Sequence, residues 1–492
     1  MKRAVLASIC LLFAPLSWAE PEIRLFFEAA SPDNKIARAA LQEIAAEWSD
    51  GYSIMFVDIA RLMPADAPPR PRAGSASALE GASGEARGRV EVSSGAMPFE
   101  ARGANGGGDL VGGGSPIRRR LMRFLRKQTG QKFGDDLDRW RRWIWSQPYA
   151  PHADYALFKA AVYRNIDPKM IRFFPPAVGA SIRLDEIDWG GVAVNGIPPL
   201  DNPPMASASD ADWMSDDDVV FGVQVDGEAR AYPKRIIAWH ELVRDRVGKT
   251  PITLVYCTLC GSVIPYDSRV DGVELTLGTS GLLYRSNKLM FDEQTQSLWS
   301  SIYGRAVVGE SYTSEKQLTR LPVITTSWAE WRALHPKTLV LSEQTGFARD
   351  YREGAAYADY NATDELWFEV PFRDDRLKNK AEVLTLVVDG VAVAVTRERL
   401  LRERLLHHEV GETRLIFVTD LTGGTRVYRL DAREIKAWVT PGVVRDSAGE
   451  SWVVTESALI SDDGEIQLER IATAPSYWFG WVAQFPETEL LD

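Results

Sequence analysis

At 492 residues the chain is too long for one ordinary hydrophobic core, and a prior of about 100 to 200 residues per domain points to two to four units. Its 45% hydrophobic and 25% charged residues are the proportions of a globular protein. The formal net charge of −11 argues against a nucleic-acid partner, because such proteins concentrate positive charge to displace counterions from phosphates.

Lys2 and Arg3, an apolar run from Ala4 to Leu16, and Ser17-Trp18-Ala19 before Glu20 follow the order of a secretory signal peptide, with cleavage expected after Ala19. A periplasmic location is the corresponding expectation. The run is shorter than the roughly 20 apolar residues of a spanning helix, and no later segment is long and apolar enough, so no transmembrane segment is expected in the mature chain. Cys10 follows Ala7-Ser8-Ile9, a poor lipobox, and is expected to leave with the signal.

The segment 20–63 reads as helical: Ile36, Ala40, Leu41, Ile44 and Trp48 recur at helical spacing, with Ser31 placed to cap and Pro32 suited to the first turn. Residues 64–116 turn rich in Pro, Gly, Ala and Ser, which predicts a disordered low-complexity insertion. Helical patterning returns over 117–181. Its start is basic from Arg118 to Lys127, which reads as a solvated helix face rather than a polyanion site. Asp135, Asp136 and Asp138 lack the ligand pattern of a calcium loop and read as helix-start acids. The Pro-rich stretch within 182–218 predicts an extended linker.

An internal duplication is visible beyond it, with a first β-rich repeat at 219–342, a connector at 343–381 and a second repeat without cysteines at 382–492. Val223-Gln224-Val225-Asp226-Gly227 resembles Leu386-Val387-Val388-Asp389-Gly390, each an alternating strand ending in an Asp-Gly turn. Trp328, Trp331, Pro336 and Thr338 match Trp478, Trp481, Pro486 and Thr488 at identical spacing. The expected fold class is therefore α+β: an N-terminal helical region, with a helical-repeat arrangement as one reading, followed by two duplicated β-rich domains.

The duplication serves as an internal control, since aligned positions that differ chemically are not both demanded by the shared fold. Cys257 and Cys260 align with Thr419 and Thr422, while Gly261 aligns with Gly423. The turn belongs to the fold, and the thiols are additions to it. An apolar strand enters Cys257-Thr258-Leu259-Cys260 and a strand interrupted by Pro265 leaves it, which predicts a hairpin tip rather than the helix start of a thioredoxin-like site.

A turn of this kind supplies two ligands, and zinc needs four. Cu(I) is satisfied by two thiolates with a His or Met, so copper(I) is favoured over zinc, with His240 and Met290 as candidate added ligands. Each of those also reads as an ordinary core residue. A stapling disulfide is the alternative that export favours, although so short a loop gains little from crosslinking. A redox-active disulfide meets that objection. Asp292, in a cluster with Asn287, Ser297 and Trp299, is a candidate acid, base or ligand. Gly278-Thr279-Ser280-Gly281 reads as a turn, and His407-His408 as surface residues.

The residues Ala231-Tyr232-Pro233, His240-Glu241, Tyr256 to Gly261, Ser280 to Leu283, Met290-Phe291-Asp292 and Ser297-Leu298-Trp299 carry a resemblance to the bacterial domain of unknown function 3179 family. The resemblance covers most of the chain beyond about Ile182. Thr258 departs from the Cys-Pro-Leu-Cys-Gly turn usual there. The resemblance implies a domain and a site that draws in His240, Cys257, Cys260 and Asp292; it implies no reaction. The leading expectation is a thiolate metal-binding or thiol/disulfide redox protein. The alternatives are a binding scaffold of the cell envelope and a hydrolase or lyase using Asp292 and His240. Its partner is expected to be an unidentified small molecule or an envelope protein.

Overall fold

The computed structural model describes residues 20–62 and 115–492, so the expected signal peptide and residues 64–114 of the expected insertion lie outside the described residues. The chain is mixed α+β, with helices at the N-terminal end followed by several β-sheets, one of them curled into a half-barrel. Among the described residues no helix is long and apolar enough to cross a membrane.

Helices Ile23–Ala29, Asn34–Ala46, Ser53–Leu62, Pro116–Thr129, Leu137–Ser146 and Tyr155–Arg164 bury their apolar faces together around Phe26, Phe56, Trp140 and Phe158. The second of these begins later than the sequence pattern suggests. Asp33, not Ser31, is its cap, because the Asp33 carboxylate accepts from the backbone amides of Lys35 and Ile36. Asp136 likewise caps Leu137–Ser146 by accepting from Arg139 N, as expected of a helix-start acid.

This helical unit shares its core with the first sheet through Tyr284, Leu289, Phe291 and Leu298. A buried ionic cluster seals the junction. Asp188, on the strand Ile187–Trp189, pairs with both Arg61 and Arg141, and Lys159 donates to Ile187 O at 2.8 Å. Burial alone would raise the Asp188 carboxyl, but Arg141 and Arg61 outweigh it and hold it below the usual carboxylate range.

The stretch 182–218, read from sequence as an extended linker, contributes strands to three different sheets. Ile187–Trp189 pairs with Leu277–Tyr284, Leu200–Asp201 with Leu242–Val247, and Met205–Ser207 with Leu339–Leu341. Gly278 to Gly281 also differs from the sequence reading: these residues lie within the strand Leu277–Tyr284, where the register shifts, and not in a turn. A bulge and a turn share the same glycine and hydroxyl composition, and only pairing distinguishes them.

Both halves begin with the same order of elements. In the first, Val219–Val225 and Glu228–Pro233 form a hairpin that leads through helix Lys234–His240 into Leu242–Val247 and Thr250–Cys257. In the second, Glu382–Val388 and Val391–Thr396 lead through helix Arg397–Glu403 into Leu405–Val410 and Thr413–Thr419. Each first hairpin also gains a parallel neighbour from the end of its half, with Val340 opposite Ala231 and Leu490 opposite Ala394. The halves diverge afterwards. The first adds the five-stranded sheet that holds Leu277–Tyr284, while the second curls into an eight-stranded sheet.

Candidate functional site

The strand Thr250–Cys257 is buried at every position and rich in β-branched residues, so its hairpin partner Ser262–Asp267 is held in a single register, with Cys257 opposite Ser262. Between them the chain turns tightly, with Cys260 N donating to Cys257 O at 3.1 Å. Gly261 closes the turn at φ +62, and a side chain there would meet the Tyr477 ring at 3.1 Å. The CxxC is thus a hairpin tip.

Cys257 and Cys260 lie 3.5 Å apart as free thiols, 3% and 0% exposed. A second hairpin tip faces them. Arg285 and Ser286 both take positive φ in the two-residue loop between Tyr284 and Asn287, and the Ser286 carbonyl lies 3.3 Å from Cys260 Sγ and 3.9 Å from Cys257 Sγ. The thiols differ electrostatically. Burial pushes Cys257 up, but a hydrogen bond from the Cys260 thiol and the backbone amides of Cys260 and Lys288 outweigh burial and the nearby Glu241, so its pKa is lowered. Burial and the neighbouring Cys257 both push Cys260 well above the ordinary thiol value.

Three parts of the chain enclose the pair. Glu241, at the end of helix Lys234–His240, makes a buried ion pair with Lys288 and accepts from Tyr357 OH at 2.8 Å. The connector supplies Tyr357 and also Tyr360, whose hydroxyl donates to Leu259 O at 2.8 Å. From the second half, Tyr477 N donates to Cys260 O at 2.6 Å. Gly480 packs so closely that a Cβ there would lie 3.1 Å from Cys260 Sγ.

The other candidate residues are directed elsewhere. The His240 ring nitrogens are both engaged, Nδ1 at 2.9 Å from Pro198 O and Nε2 at 2.7 Å from Tyr351 OH. A carbonyl only accepts, so Nδ1 carries the proton and Nε2 accepts from the tyrosine. Burial lowers the His240 pKa to about 4. Met290 packs with Trp299 in a core cluster separate from the one that holds the cysteines. Asp292 accepts from Thr295 Oγ1 and Trp299 Nε1, each at 2.8 Å. The second half repeats that bond between Trp452 Nε1 and Asp446 Oδ2 at 3.1 Å, which marks it as a way of bracing a hairpin. His407 accepts from Ile435 N at 3.2 Å, and His408 faces Glu489. Among the described residues no group of three or more His, Cys, Asp or Glu is placed to hold a metal ion.

Sequence reasoning missed Glu241, Lys288, Ser286, Tyr357, Tyr360, Tyr477 and Gly480. Two of them carried a signal: Glu241 stands in the His240-Glu241 motif of the resemblance, and Gly480 stands between Trp478 and Trp481 where the first half has Glu330. No curated protein and no solved structure matches the chain. A family model described as protein of unknown function (DUF3179) matches residues 194–488, a span that holds the thiol turn, the connector and nearly all of both halves. The chain belongs to the DUF3179 family.

Proposed function

We propose that Cys257 and Cys260 form a reversible dithiol/disulfide couple, and that the protein is a thiol redox protein of the periplasm. The observation that carries this reading is the 3.5 Å approach of two free thiols at one hairpin tip, whose surroundings shift them in opposite directions, Cys257 below and Cys260 above the ordinary thiol value. Small side-chain rotations bring such sulfurs to a bond of about 2.05 Å. Closing it releases two electrons and two protons, taken up by a partner disulfide that leaves as two thiols. An oxidising compartment, expected from the N-terminal leader, supplies such partners.

The proposed duplication supports a role for the thiols beyond architecture. The matched turn, one residue longer between its closing pair, reverses the chain with Thr419 Oγ1 and Thr425 Oγ1 3.0 Å apart and Gly423 at φ +94. Cysteine is therefore not what bends the chain.

A second reading, a soft-metal thiolate site with Cu(I) favoured, draws on the amides of Cys260 and Lys288 that face the Cys257 sulfur. It needs a third donor, and His240 and Met290 both have other partners.

The test is equilibration of the full chain in graded dithiothreitol ratios, followed by mass-tag alkylation. The expected result is a paired loss of two reactive thiols with one midpoint, absent in Cys257→Ser and Cys260→Ser. A pair that stays reduced across the range overturns the redox reading. Stoichiometric copper in protein loaded with Cu(I), lost in both variants, would then favour the metal reading.

A further inference from the structure

We infer that the cleft between the two halves is a binding site for a small organic acid, a molecule with an apolar body and one anionic group. The cleft encloses about 290 Å³, near the lower end for small-ligand sites, and both halves build its walls. Phe221 and Leu384 stand at the same place on the two first strands, and Lys234 and Arg397 each open the short helix that follows. Tyr477 completes the apolar lining above Gly261.

The lining is apolar enough to take a hydrocarbon or aromatic body, and its charges are unequal. Arg397 is exposed and already engaged, with Nη2 donating to Thr422 O at 3.1 Å and Nε 3.5 Å from Glu382. Lys234 is half-buried and makes no ion pair or side-chain hydrogen bond among the described residues. The two carboxylates that line the cleft, Asp217 and Glu382, are both exposed. An anion drawn toward Lys234 therefore meets a partly desolvated ammonium whose donors are uncommitted, a setting in which a charge-assisted hydrogen bond is strong. A neutral molecule gains only the apolar contact. The cleft floor includes Tyr256 and Gly261, each adjacent to a cysteine, so an occupant sits against the thiol turn.

The inference rests on cleft geometry and charge, not on thiol chemistry, and its test leaves both cysteines in place. The probe is 8-anilinonaphthalene-1-sulfonate, compared with N-phenyl-1-naphthylamine, which has the same skeleton without the sulfonate. The folded full chain is expected to bind one sulfonate saturably. Lys234→Gln should weaken that binding by about tenfold and leave the neutral analogue within about twofold, the size of one charge-assisted bond. Leu384→Trp, or Thr325→Trp should the first variant melt early, fills the cleft and should remove both ligands. No saturable binding by the folded protein, binding that survives a folded cleft-filling variant, or equal effects of Lys234→Gln on both probes would overturn the assignment.

Discussion

His240 shows how a single side chain ties the fold to pH. Its ring is fully buried, braced between the Pro198 carbonyl and the Tyr351 hydroxyl; the Nδ1–H bond to Pro198 survives protonation, while the bond that Nε2 accepts from Tyr351 and the burial itself favour the neutral form. The folded pKa is about 4 against an ordinary 6.5, so the unfolded chain binds the extra proton first as pH falls. The contribution is complete above pH 6.5 and is lost progressively down to about pH 4, with an upper bound of about 3 kcal/mol. Urea unfolding of the wild type and of His240→Gln between pH 7 and pH 4 checks this: the difference between them should shrink as the pH falls. A constant difference contradicts the burial account. His240 was legible as a residue of interest, but its direction was not, because the tyrosine that donates to its Nε2 lies 111 residues away.

At the level of the element, the CxxC hairpin was the most legible feature. A β-branched buried run, a glycine and a strand-borne proline dictate a tip rather than a helix start, and the pairing of Cys257 with Ser262 is that tip. Gly261→Ala should cost about 1 to 3 kcal/mol, since its φ of +62 is joined by contact with Tyr477, which is itself pinned by its amide bond to Cys260 O. At Gly423 the nearest atom is the flexible Arg397 guanidinium, so the cost of Gly423→Ala should come from its φ of +94 rather than from contact. Chemical denaturation of the two variants compares them directly. The connector was the least legible element. Its short helix Ala358–Asn361 and its tyrosines have no periodic pattern, and they acquire a role only where Tyr357 and Tyr360 reach Glu241 and Leu259.

For the whole molecule, the helical unit and the two halves are joined by groups that are costly to separate. Asp188 is a carboxylate shared by Arg61 and Arg141, and the Arg141 side chain is 1% exposed. Asp188→Ala leaves both guanidinium groups without that partner and should destabilise the protein by about 3 to 5 kcal/mol, measured by urea unfolding. The thiol turn is bound into the same assembly. Arg285 pairs with Glu186 and also donates to Ala483 O at 2.8 Å, and Gln484 Nε2 donates to Tyr284 O at 3.1 Å. These bonds join the loop facing the sulfurs to the second half.

The sequence by itself determined the helical beginning, the strand-rich remainder, the resemblance to the family and the hairpin that carries the two cysteines. These follow from local periodicity, turn chemistry and short motifs, all of which act within a few residues. Tertiary structure alone decided what surrounds the thiols: the carbonyl of Ser286, the Glu241–Lys288 pair, the tyrosines of the connector and the tail of the second half. Those neighbours come from distant points in the chain, and it is their packing that buries both thiols and sets a carbonyl acceptor against Cys260.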